Sequence, residues 1–160
     1  MDNEEKKMDG TYHYMLMSNH LLLQKKLLAA LKDTGLTMGQ PKVLDYLGEH
    51  NGASQKEIAA GCHIEAGSLT SVLNRMEENG LVQRRTLNGN RRSYFVFLTE
   101  EGEKLYKVVQ EAFTDLEKEA FCGISEEERK QFMKTFLQIY KNVEEKSSDL
   151  MKGADKKWKN

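Results

Sequence analysis

The chain has one proline, one tryptophan and two cysteines in 160 residues. Scarce proline removes the commonest interruption of a helix, and abundant leucine, lysine and glutamate then point to a mainly α-helical chain. Cys62 and Cys122 stand far apart. They supply neither zinc-ligand spacing nor a disulfide framework, so a reducing, cytoplasmic setting is expected. There is no apolar run long enough to cross a bilayer and no leader pattern, so no membrane partner is expected. No nucleophile paired with a base, no glycine-rich phosphate loop and no metal-ligand cluster can be read, so neither catalysis nor a cofactor nor a metal is expected. Net charge is another near-absence, at -1. Any case for a polyanionic partner must rest on where the charge sits.

The charge sits unevenly. Between Glu78 and Glu100 there is no acidic residue, while Arg84, Arg85, Arg91 and Arg92 all fall there. Upstream, Ser54 and Glu57 have the spacing of a capping box, which opens a short helix carrying Ile58, Ala59 and Cys62, with Gly61 read as the turn. A second helix follows. Leu69, Val72, Leu73 and Met76 recur at i, i+3, i+4 and i+7 as one buried stripe. The opposite face carries Ser68, Thr70, Ser71, Asn74 and Arg75. Asn79-Gly80 supplies the left-handed residue that ends such a helix. Two apolar runs around Asn88-Gly89-Asn90 then read as a hairpin.

Helix, turn, helix, strand, arginine-bearing hairpin and strand, in that order, make a winged helix-turn-helix. Short hydrogen-bonding side chains with one long cation suit base edges and phosphates in a major groove. Expected DNA contacts are Ser54, Gln55, Ser68, Thr70, Ser71, Asn74, Arg75, Arg84, Arg85, Arg91 and Arg92. Two other readings of the same residues stay open: a hairpin with arginines for solubility, and a winged helix whose arginines meet an acidic protein partner.

The fold class expected is mainly α (α+β), the winged lobe being flanked by N- and C-terminal dimerisation helices. Residues 1–10 are expected to be disordered, 11–34 to form the first dimerisation helix and 35–99 the lobe, with the helix-turn-helix at about 54–78 and the wing at about 81–99. Residues 100–150 hold two further helices, and 151–160 a mobile basic tail. Apolar residues of the first helix spread over more than one face, which suggests burial by its own lobe and by a second copy. Thr37 and Gln40 are read as a capping box opening the bracing helix, with Pro41 in its first turn and Val43, Leu44 and Leu47 inward. After the wing, Leu105, Val108, Val109, Ala112, Phe113 and Leu116 make one stripe. Gly123 breaks that helix, and Ser125 with Glu128 caps the next. His13 and His20 could share a face with Met17, an arrangement commoner for surface histidines than for a metal site. Tyr12, His20 and Tyr46 are the candidates to line an effector pocket, although Tyr46 also reads as a core residue facing the gap toward the first helix. Cys122 is the candidate for thiol sensing, Cys62 lying on the buried side of its helix.

Taken together, Leu36-Thr37, Gln40, Asn74-Arg75-Met76-Glu77 before Gly80-Leu81-Val82, the arginine-bearing wing and Leu98-Thr99-Glu100-Glu101-Gly102 resemble the MarR family of bacterial transcriptional regulators. No single match is specific; their order and spacing are. The resemblance implies a homodimer bound to double-stranded DNA at an inverted-repeat operator, and repression lifted by a small, often aromatic, effector. The family's wing-tip pattern of Asp, one residue and Arg reads here Asn90, Arg91, Arg92, which gives Arg92 the groove-contacting role and removes the acid that steadies it. The family often has a cation where Ser71 stands and a small capping residue where Glu65 stands. Its peroxide sensors carry a cysteine near the start of the first helix, where this chain has none.

Overall fold

A computed structural model describes residues 10–87, 89 and 93–157, with side chains described up to residue 144. Helix α1 spans Tyr12–Ala30 and leads through a 3-10 turn at Lys32–Thr34 to α2, Gln40–Glu49. Then come α3, Gln55–Cys62, and α4, Ala66–Glu78, followed by β1, Val82–Arg85, and β2, Phe95–Leu98. Two long helices complete the described chain, α5 at Glu100–Ala120 and α6 at Glu126–Lys157. The chain divides into two compact units, residues 1–117 and 118–160.

The first unit is built on one apolar cluster. Val43, Leu44 and Leu47 of α2, Ile58 and Cys62 of α3, Leu69, Leu73 and Met76 of α4, Val82, Val96, Leu31 and Val109 are all buried in it. Each aliphatic side chain of this size contributes about 1.5–3 kcal/mol on burial, so three helices crossing on the cluster hold one another in place. The stripe expected on α4 is thus the one that packs, with Val72 half-buried at its edge.

Local chemistry fixes the element ends. At α3 the Ser54 Oγ accepts from the Glu57 N–H (3.2 Å) while Glu57 Oε2 accepts from the Ser54 N–H (2.8 Å), the reciprocal box the sequence suggested. The same arrangement opens α6, where Ser125 and Glu128 exchange bonds of 2.9 and 3.2 Å. Gly80 ends α4 at φ +71°, and Gly123 separates α5 from α6 at φ +79°. Thr99 joins wing to helix: its Oγ1 donates to the Gly80 carbonyl (2.6 Å) and accepts from the Gly102 N–H (3.1 Å).

Three expectations need correction. The bracing helix starts at Gln40 behind Gly39 rather than at Thr37; only half of the proposed box forms, the Thr37 N–H donating to Gln40 Oε1 (3.0 Å). Gly61 is not the turn. It lies inside α3, where a side chain would overlap the Tyr46 ring, and the left-handed residue of the turn is His63, at φ 52°. Tyr46, read as a core tyrosine, does pack half-buried against the core, its ring beside Gly61 of α3 and stacked on His50 with centroids 4.3 Å apart. Finally, α6 continues through Lys157, into the stretch read as a mobile basic tail.

The strands β1 and β2 are antiparallel, with Val82 opposite Leu98 and Arg84 opposite Val96. The far edge of β2 is also paired, a feature absent from the sequence reading. The Gly52 N–H donates to the Val96 carbonyl (2.9 Å), the Val96 N–H to Ala53 (2.9 Å), and the Gln55 N–H to Tyr94 (3.1 Å). The loop before α3 thereby ties the base of the wing to the start of the helix-turn-helix.

In the second unit Phe121 meets Phe132 edge-on at 6.0 Å and Phe132 stacks on Phe136 at 5.5 Å. The Arg129 guanidinium lies over Phe121 at 4.6 Å. No helix among the described residues is long and apolar enough to cross a membrane.

Candidate nucleic-acid interface

With Leu69, Leu73 and Met76 anchored in the core, the other side of α4 has to face outward. Ser68, Thr70, Ser71, Asn74 and Arg75 are all exposed there. The helix starts from Glu65, whose side chain makes no cap, and its first turn carries no acidic group. The Thr70 hydroxyl donates to the Ala66 carbonyl (3.0 Å), leaving its oxygen as an acceptor. Ser54 and Gln55 are half-buried at the base of α3, with the Ser54 hydroxyl committed to Glu57.

The wing arginines part company. Side chains alternate across a strand, so Arg84 shares the inner face with buried Val82, whereas Arg85 points the other way. Arg85 is exposed and lies over the Phe97 ring at 4.7 Å, with one arm donating to Gln83 (2.9 Å). Arg84 turns toward α4. Its Nε and Nη2 donate to Glu77 Oε2 (3.0 and 2.7 Å), its backbone N–H donates to Glu77 Oε1 (3.2 Å), and Nη2 also donates to Asn74 Oδ1 (2.7 Å). The Arg84 side chain is 19% exposed and its charge is matched by Glu77. The Glu77 carboxyl is correspondingly held below the usual carboxylate range by the Arg84 hydrogen bonds. Arg84, grouped with the DNA-facing cations on sequence grounds, is thus turned into the protein. The signal was available in the alternation: two residues after a buried valine, a strand side chain returns to the buried face. Arg91, Arg92 and Asn90 lie outside the described residues.

The other candidates are dispersed. Tyr12 and His20 are exposed on α1, while Tyr46 is half-buried between α2 and α3. Cys62 is buried, its thiol 3.7 Å from the Lys42 carbonyl and pushed up in pKa by burial, whereas Cys122 is exposed. No group of His, Cys, Asp and Glu suited to a metal is found among the described residues.

A family model described as MarR family matches residues 36–94, which run from the start of the bracing segment into the wing. An uncharacterized HTH-type transcriptional regulator of Bacillus subtilis (strain 168), YwoH, is 34% identical over 115 residues, covering 72% of this chain and 83% of that protein. The chain belongs to the MarR family. It is a MarR-type helix-turn-helix transcriptional regulator, in a family of regulators rather than enzymes. Its winged-helix fold also matches solved structures. The MepR–DNA complex of S. aureus aligns at a TM-score of 0.79 with 24% identity, over 84% of this chain and 99% of MepR. NadR in complex with 4-hydroxyphenylacetate aligns at 0.69 with 24% identity, over 81% and 92%. In this MarR-family chain α4 is the second helix of the helix-turn-helix, and β1 and β2 are the strands of the wing.

Proposed function

We propose that the chain is a sequence-specific binder of double-stranded DNA that acts in the cytoplasm as a repressor, works as a homodimer on an inverted-repeat operator, and is released by a small aromatic or phenolic ligand. The observation that carries this reading is the two-sidedness of α4: a fully buried apolar stripe on one side and an exposed row of Ser68, Thr70, Ser71, Asn74 and Arg75 on the other. Those five side chains approach base edges and phosphates in a major groove. Ser54 and Gln55 lie at the helix-turn-helix base and Arg85 on the outer face of the wing; all three are assigned to the backbone. Arg91 and Arg92 are assigned to the adjacent groove on the wing-tip sequence pattern.

Dimerisation is supported by what the single chain leaves uncovered. Met17, Leu21 and Leu22 of α1 are 61–65% exposed, and Phe132, Leu137 and Val143 of α6 are also exposed. Helices with such faces are stable when a second copy covers them. Two α4 helices related by a twofold then meet successive major grooves, with half-sites about 10 base pairs apart. The ligand class is supported by the NadR complex, whose bound molecule is a phenolic acid. Tyr12 and His20, with Tyr46 behind them in sequence, are the residues assigned to it, and Cys122 is the thiol assigned to any oxidative variant of the switch.

Retention of promoter fragments across a salt series tests the reading. Affinity should fall by about a thousandfold between about 50 and 200 mM salt if six or more phosphates are neutralised. Arg92→Ala should weaken every sequence alike. Absence of binding to any duplex at low salt would leave the winged helix as a protein-contact module.

A further inference from the structure

The cluster of Arg84, Glu77 and Asn74 gives the recognition face a fixed polarity. A guanidinium has donors and no acceptors, so the atom of Asn74 that faces Arg84 Nη2 at 2.7 Å has to be the amide oxygen. The amide is planar, so fixing its oxygen toward β1 turns its amino group away from β1. Arg84 is itself fixed by two further bonds to Glu77 and by the Tyr94 ring, 6.0 Å from its guanidinium carbon. The wing base therefore sets the orientation of a side chain on α4.

We propose that Arg84 is a positioning residue that makes Asn74 a donor-only reader of the groove, so that Asn74 selects acceptor edges (guanine O6 and N7, thymine O4) instead of forming the two-point pair with adenine. An asparagine reads adenine by accepting from N6 while donating to N7. Without the oxygen facing the base the amino group can still donate to adenine N7, but the N6 amino group finds no acceptor, a cost that guanine O6 and thymine O4 do not incur. Here the oxygen faces the wing. The inference rests on the DNA-binding role proposed for α4 and names which bases one of its residues prefers.

Selection from a randomised duplex library, with the wild type, Asn74→Ala and Arg84→Lys run in parallel, tests it. Nη2 of Arg84 bonds Glu77 and Asn74 together while Nε also bonds Glu77. Lysine at 84 keeps a charge for Glu77 but loses the planar Nε–Nη2 fork that holds both partners at once, which loosens the hold on the amide. The wild type should favour guanine or thymine at one pair in each half-site by about tenfold. Asn74→Ala should lose the preference at that pair alone, and Arg84→Lys should admit adenine there while other positions keep their preferences. A wild-type preference for adenine at the Asn74-dependent pair would overturn the proposal. So would an Arg84→Lys variant with unchanged base preferences and uniformly weaker binding, which is the signature of a structural bridge only. No pair that depends on Asn74 would overturn the inference while leaving the DNA-binding reading intact. No selected sequence at all with the wild type would remove both.

Discussion

Helices α4 and α1 are both well supplied with large apolar residues and use them in opposite ways. On α4 Leu69, Leu73 and Met76 are wholly buried in the lobe, and the apolar positions form one stripe. On α1 no residue is buried; Leu27 packs against the cluster near its end, while Tyr12, Tyr14, Met17, Leu21 and Leu22 are open to solvent. A narrow stripe is satisfied by its own chain. Apolar residues on several sides are not. The winged lobe thus holds α4 by itself, and α1 keeps an uncovered apolar surface in the single chain.

That contrast can be tested by substitution. Leu73→Ala should destabilise the lobe by about 2–5 kcal/mol in urea denaturation, because it empties a fully packed site. Leu22→Ala, at a solvent-facing position of the single chain, should change the stability of the dissociated chain by no more than about 0.5 kcal/mol. If both cost the same at high dilution, the two helices do not differ as described. Next in size, Leu22→Glu should raise the dimer dissociation constant by about tenfold or more in sedimentation equilibrium, since a carboxylate in an apolar contact must be desolvated. Within the lobe, Gly61→Ala should cost about 1–3 kcal/mol by driving a methyl group into the Tyr46 ring, with DNA affinity falling in parallel. Smaller still, Ser54→Ala should cost about 0.5–2 kcal/mol by opening the cap of α3.

The smallest effect concerns pH. Glu57 is held below the usual carboxylate range by the Ser54 backbone and hydroxyl, and Glu128 by the Ser125 hydroxyl and backbone. A depressed folded-state pKa stabilises the fold above the unfolded value, about 4.3. That contribution is lost as pH falls through the lower folded value. Glu57→Gln should flatten the acid limb of the melting curve slightly, and an unchanged limb would show that the box contributes nothing to it.

Much of this architecture was legible in the residue order. Ser54 and Ser125 each stand three positions before a glutamate, the α4 stripe keeps helical spacing, and Gly80 and Gly123 stand where left-handed backbone is required; all are local rules, and all hold. What was not legible depends on distant chain. The pairing of Gly52 and Ala53 with Val96 joins segments more than forty positions apart in sequence, so no short-range pattern announces it. Gly61 reads as a turn until the Tyr46 ring is placed against it. Arg84 looked like one more groove cation because composition counts charge without direction. The alternation from Val82 already put it on the inner face; what no local pattern announced was Glu77 of α4 standing across from it to take its charge.

The central claim is that two such lobes, paired through their outlying helices, present α4 to successive grooves. Sedimentation of the protein bound to a fragment recovered from its own genome tests that most directly. Two chains per duplex, on a site whose protected half-sites are related by an inverted repeat about 10 base pairs apart, is the predicted result. A single chain on an asymmetric site, with the unbound protein monomeric at the same concentration, would contradict it.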